Sequence, residues 1–152
     1  MKIMRGQGAT EYLVLLAVVL IVALVSVALL GFFPGMASDA RTTQSQSYWR
    51  GQARPFAILE STINATGGVA LVVQNMEATG PYRMTTLVVG NATTGAITTD
   101  YAAGETKLVA LSSQQGTVGA LYDLSVNITY NTPNGIVGAK QYSTKNLIGK
   151  YV

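Results

Sequence analysis

Cysteine and histidine are both absent from this 152-residue chain, and only 11% of its residues carry charge. Without thiols or imidazoles there is no disulfide, no thiol nucleophile, no Cys/His metal site, no haem attachment and no histidine-based triad. Many small secreted domains depend on disulfides, so a domain here must be held by its core, by glycans or by neighbours in an assembly. Beyond the N-terminal region the acids are few and scattered: Asp39, Glu60, Glu77, Asp100, Glu105 and Asp123. None has metal-loop spacing and no acid–base pair stands out, so they read as solvated loop and edge charges. Serine lacks a histidine partner, no Ser-x-x-Lys occurs, and no glycine loop of the phosphate-cradling type is present. The chain is therefore not expected to be an enzyme, and it calls for no cofactor or metal. Basic residues leave no footprint either. The net charge is +3 and the pI near 9.3, but Lys2 and Arg5 supply two of those charges. No basic run or stripe interleaved with aromatics follows, so nucleic acid is not an expected partner.

What the chain does have is grease. From Tyr12 to Phe33 no residue is charged, and Ser26 is the only clearly polar one. At about 1.5 Å rise per residue such a helix spans about 33 Å, enough for a bilayer core. It is apolar all round, with no polar face from Leu13 to Val25, as expected of a helix buried on every side in lipid or in protein. Lys2 and Arg5 precede the run and hold that end cytoplasmic, sending the C-terminal part outward. A secretory signal has a shorter apolar core followed by a small-residue cleavage site; Gly35-Met36-Ala37 offers such a site as a second arrangement. Glu11 stands alone at the head of the run. A carboxylate costs roughly 2.5–3.5 kcal/mol at a membrane centre, less near an interface, so a partner for the charge is expected.

Gly31, Pro34 and Gly35 interrupt the run and predict a hinge, a kink or a locally melted stretch, because proline removes a backbone donor. Ser38 and Asp39 then suit a helix start, Arg50 and Arg54 a helix end, and Pro55 should stop the helix at Arg54. Tyr48 and Trp49 are expected to fasten this polar piece to the domain that follows. From Phe56 the pattern becomes β: strands are expected at Phe56–Leu59, Val69–Val73, Met84–Val89, Thr106–Leu111, Tyr122–Tyr130 and Ile136–Tyr142. Tyr122, Leu124, Val126, Ile128 and Tyr130 alternate and should share one face. Pro133-Asn134-Gly135 predicts a tight hairpin turn. The fold class is α+β: a long N-terminal hydrophobic helix followed by an antiparallel, immunoglobulin-like β-sandwich. The expected organisation is a basic leader over 1–6, a helix over 7–54 (apolar part 12–33, polar part 38–54), and a globular domain over 55–152. Three sequons, Asn64-Ala65-Thr66, Asn91-Ala92-Thr93 and Asn127-Ile128-Thr129, make Asn64, Asn91 and Asn127 candidates for N-glycosylation.

The segment Arg5-Gly6-Gln7-Gly8-Ala9-Thr10-Glu11-Tyr12-Leu13-Val14-Leu15 resembles the class III signal sequence of archaeal type IV pilins. That resemblance implies cleavage by a membrane-embedded prepilin peptidase after Gly6, so that the mature chain starts at Gln7 with Glu11 as its fifth residue. The frequent leucine four positions later corresponds to Leu15; the family's common serine at the third mature position is Ala9 here. The junction Ser47-Tyr48-Trp49 with Arg54-Pro55-Phe56 also resembles the helix-to-sheet passage of euryarchaeal adhesive pilins. The resemblance implies a subunit driven by an assembly ATPase and a membrane platform protein into an extracellular filament of identical subunits, used in surface adhesion. Before assembly it would sit in the cytoplasmic membrane. Gln7 and Glu11 then become docking residues, the new α-ammonium of Gln7 meeting Glu11 of a neighbouring copy and fixing axial register. Two other readings are a membrane-anchored β-sandwich binding protein that never polymerises, and an archaellin of the rotary filament, although archaellins usually lack the glutamate equivalent to Glu11.

Overall fold

The computed structural model describes the backbone of residues 7–152, and the side chains of all of these except 7 and 32–34. The expectations placed on Lys2, Arg5 and Gly6 lie outside the described residues, as does the side chain of Gln7. The architecture is α+β: one long N-terminal helix, α1 (Gln7–Gly51), followed by strands that pair only antiparallel.

Helix α1 is assigned without interruption through Gly31, Pro34 and Gly35. The locally melted stretch and the fresh start at Ser38–Asp39 are therefore corrected. A proline costs about 3 kcal/mol and a glycine about 1 kcal/mol in a helix interior. Neither prohibits a helix already propagating from both sides. Added Cβ atoms at Gly31 and Gly35 would meet nothing within 4 Å. The predicted stop at Arg54 also moves, to Gly51. There Gln52 N (2.9 Å) and Ala53 N (3.0 Å) both donate to the Tyr48 carbonyl and close the last turn. The chain divides into the units Met1–Ala40 and Arg41–Val152, so the division between units falls inside α1. The cause is local: Ser45, Trp49 and Ala53 are buried in the second unit, with Trp49 only 1% exposed.

The second unit holds ten strands: β1 (Phe56–Ile63), β2 (Thr66–Asn75), β3 (Tyr82–Val89), β4 (Ala92–Thr93), β5 (Thr99–Tyr101), β6 (Thr106–Gln115), β7 (Leu121–Leu124), β8 (Val126–Asn131), β9 (Ala139–Tyr142) and β10 (Leu147–Lys150). One sheet has the order β1-β2-β6. A second runs β4-β3-β8-β9 with β5 also on β3, and β10 pairs β7 in a third. Alternation, offset in β3 by the register shift between Met84 and Thr86, sends Val69, Leu71 and Val73 of β2, Met84, Leu87 and Val89 of β3, and Val126 and Ile128 of β8 into one common apolar cluster with Trp49. Phe56 packs edge-on against Tyr101 (5.2 Å) and Tyr130 (5.6 Å) within it.

Two strand expectations are corrected. Tyr122–Tyr130 is not one strand: Leu124 pairs Leu147 of β10, whereas Val126 pairs Val89 of β3, so the chain changes sheets at Ser125. The hairpin turn joins β8 to β9 and is closed by Gly135 N donating to Thr132 O at 3.2 Å, but it is not of the type I′ kind: Gly135 has φ 91° while Asn134 is not among the positive-φ residues, and Thr132 N donates to Ile136 O at 2.9 Å in a wider closure. A type I′ turn needs positive φ at both central residues. Strand β9 consequently starts at Ala139, leaving Ile136 (61%) and Val137 (78%) exposed in the loop.

Candidate functional site

In the first unit, every described side chain from Gly8 to Gly31 is exposed. Tyr12 stands 65% open and Leu30 72%, with leucines and valines equally open on all sides between them. Soluble monomers rarely expose contiguous apolar patches beyond a few hundred Å², and this one encircles several helical turns. The helix is long and apolar enough to cross a membrane by length and composition. The one serine of the apolar run adds no polar demand: Ser26 Oγ donates to the Val22 carbonyl at 2.8 Å, satisfying the hydroxyl within the helix. Glu11 sits over a shallow depression that it shares with Thr10, Val14 and Leu15. Val14 and Leu15 lie one turn further on, at the positions that would hold a cation if the helix supplied its own. Among the described residues Glu11 forms no ion pair.

The polar end of α1 is bound within the second unit by Arg41, Ser45, Trp49 and Arg50. Arg41 pairs with Asp123 at 2.5 Å, and Asn146 Nδ2 donates to the other oxygen of that carboxylate at 2.7 Å. Ser45 Oγ donates to Asn146 O (2.7 Å) and accepts from Ile148 N (3.0 Å), serving as a backbone partner for β10. Arg50 Nε reaches Leu59 O at 2.8 Å, at the residue where the β1–β2 register shifts. Tyr48 and Trp49 contact edge to face at 5.3 Å. The fastening expected of these aromatics is present, although hydroxyl and guanidinium groups share the work.

Buried polar side chains, which local sequence patterns do not flag, tie the β unit together. Asn75 Nδ2 reaches Thr79 O, Tyr101 O and Ala102 O at 3.0–3.3 Å, and its Oδ1 accepts from Glu77 N. Gln141 of β9 acts as a short strand partner for β1 in the other sheet: Phe56 N donates to its Oε1 (3.0 Å) and its Nε2 donates to Phe56 O (2.8 Å). Gln114 accepts from Asn91 N and donates to Tyr151 Oη. Electrostatics elsewhere is superficial. The Arg83 guanidinium, bonded through two nitrogens, holds the Asp100 carboxyl below its usual range. Glu105 is lowered by the Ala102 amide and Lys107. Burial pushes the Tyr101 phenol up to about 12. Its hydroxyl, like Trp49 Nε1, is buried with no hydrogen-bond partner.

Among the described residues no group of His, Cys, Asp or Glu could hold a metal ion. One concavity of about 300 Å³ is lined by residues that include Gly80, Pro81, Arg83, Asp100, Asn131 and Pro133. Of the three sequon asparagines, Asn64 and Asn91 are exposed in turns and Asn127 is half-buried in β8. Comparison with protein-family models, with curated proteins and with solved structures finds no match for this chain.

Proposed function

We propose that the chain is a structural subunit of the archaeal type IV pilin kind, polymerising through α1 into an extracellular filament. One observation carries this reading: the apolar part of a continuous helix exposes its described side chains all round and bears one carboxylate, Glu11, at its head, with no ion pair among the described residues. Lipid covers such a helix before assembly, and the helices of other copies cover it afterwards. Both environments are dry, so the transfer costs little hydrophobic free energy. Glu11 distinguishes them. In lipid it is uncompensated; beside the α-ammonium that cleavage after Gly6 creates on Gln7 of another copy it is paired. The carboxylate thus sets axial register rather than adding much net stability, in keeping with the modest net worth of buried ion pairs.

The β unit is read as the sandwich head that faces outward, its two larger sheets closing over one core. The prepilin peptidase, the assembly ATPase and the platform protein are the partners this role requires, and surface adhesion is the task it serves. Mass spectrometry of the mature protein in its native host is the direct test. A chain beginning at Gln7, recovered from sheared surface filaments, is expected. A monomeric chain retaining residues 1–6 would favour the membrane-anchored binding protein and overturn the proposal.

A further inference from the structure

The three sequons share one pattern, Asn-x-Thr, but the fold gives them different surroundings. In the β1–β2 turn Asn64 and Thr66 are exposed while Ala65 between them is half-buried. In the β3–β4 turn Asn91 and Thr93 are exposed while Ala92 is fully buried. Both turns thus present the amide and the threonine hydroxyl on the open side and anchor themselves by the middle residue. Backbone bonds and Gln114 hold the two turns, and Thr93 Oγ1 also accepts from Gly95 N at 3.2 Å. Asn64 N donates to Gly68 O (2.7 Å) and Gly67 N to Asn64 O (3.0 Å); Asn91 N donates to Gln114 Oε1 (2.9 Å). Among the described residues neither asparagine amide group takes part in a hydrogen bond.

The two turns, far apart in sequence, meet at the end of β6. Gln114 lies opposite Gly67 in the β2–β6 ladder, and its side-chain carbonyl accepts from Asn91 N. Two residues on, Gly116 N donates to Ala65 O at 3.1 Å. Asn127 differs in its place within a strand and in its half-burial. It lies within β8 with Val88 on one side and Tyr142 on the other. Ile128 is 1% exposed, Thr129 is half-buried, and the Thr129 carbonyl is taken by Thr85 Oγ1 at 3.0 Å.

We propose that Asn64 and Asn91 carry N-linked glycans next to each other at this end of the β unit, and that Asn127 stays bare. The inference rests on the functional reading above only in requiring that the β unit reach the outer face of the membrane. The donor is an oligosaccharide joined through phosphate to a lipid. The Asn Nδ2 bonds to the anomeric carbon, the anomeric carbon–oxygen bond to phosphate breaks, and the lipid phosphate leaves with that electron pair. The amide loses one proton to a base on the transferring enzyme. Transfer needs the amide and the hydroxyl together in an open segment, and only the two turns offer both.

The test is glycopeptide mapping and intact mass of the full chain from its native host. Two glycan masses are expected, one on Asn64 and one on Asn91. Asn64→Gln and Thr66→Ala each remove the first, Asn91→Gln and Thr93→Ala each remove the second, and Asn127→Gln changes nothing beyond the substitution. The wild-type map alone decides occupancy, so a variant that fails to accumulate leaves no ambiguity. A bare Asn64, a bare Asn91 or sugar on Asn127 overturns the proposal. Filaments of bare chains starting at Gln7 would sink this inference alone, whereas a glycosylated chain that never assembles would sink the assembly reading alone.

Discussion

Replacing Glu11 with Gln keeps the side chain's size and removes its charge, and the two accounts of that carboxylate then diverge. The described part of α1 supplies no cation to Glu11, and the positions one turn on hold Val14 and Leu15. If the counterion is the Gln7 α-ammonium of another copy, the substitution strands that ammonium in a dry interface. Removing one partner of a buried pair costs about 3–5 kcal/mol. At 1.4 kcal/mol per tenfold, the association constant of each contact should fall roughly 100- to 4,000-fold. Insertion into the membrane should be unimpaired, since an uncharged residue is cheaper in lipid than a carboxylate. The assay compares the filament fraction, sheared and sedimented, with the membrane fraction of the same cells, and counts filaments by electron microscopy. Ser26→Ala is the control: its hydroxyl is satisfied inside its own helix, so filaments should form normally. Abundant normal filaments from Glu11→Gln would refute the docking argument and leave Glu11 as a residue that merely reaches for lipid headgroups.

Gly6→Leu should block leader removal and leave a slightly larger, membrane-bound precursor visible on a denaturing gel, with no filaments. Gln141→Leu should orphan both backbone groups of the fully buried Phe56. At about 1–3 kcal/mol per stranded group, urea unfolding of the full chain should shift by about 2–6 kcal/mol; a shift below about 1 kcal/mol would show that this bridge between sheets is dispensable. Tyr101→Phe removes a buried hydroxyl that has no partner and should leave stability unchanged or raised. The same variant tests the alkaline limb. The folded-state phenol is raised from 10.0 to about 12, so its contribution is intact below pH 10 and is lost as pH climbs toward 12. The wild type should therefore lose stability in that window and Tyr101→Phe should lose less. Asp100 and Glu105 have lowered values. Their contribution is present above the ordinary carboxylate range and disappears as pH falls below it, so Arg83→Gln should flatten the acid limb.

Much of the fold was legible because its signals are local. The uncharged run from Tyr12 to Phe33 specified a helix without a polar face. Pro55 marked the end of helical geometry to within a turn. The errors fall where a distant partner decides. Nothing in Tyr122–Tyr130 announces that Leu124 will pair with Leu147 and Val126 with Val89. Asn134-Gly135 signals a type I′ turn, yet Asn134 stays out of the positive-φ region and the loop adds a second closure from Thr132 N to Ile136 O. The short β4 and β5 and the late β10 carry too few residues for a period to show. Asn75, Gln114 and Gln141 look like ordinary polar residues until the fold buries them against backbone groups from elsewhere.

The chain's order of residues by itself determined the greasy helix, the lone carboxylate at its head, the β character of the remainder and the three sequons. Each depends on neighbours within a helical turn or a strand. Tertiary structure decided which part of α1 belongs with the β unit, where the chain changes sheets, and which sequons share an open surface. Those outcomes depend on hydrogen bonds and burial between residues far apart in the chain, as where Gln114 meets both the Asn64 and the Asn91 turns.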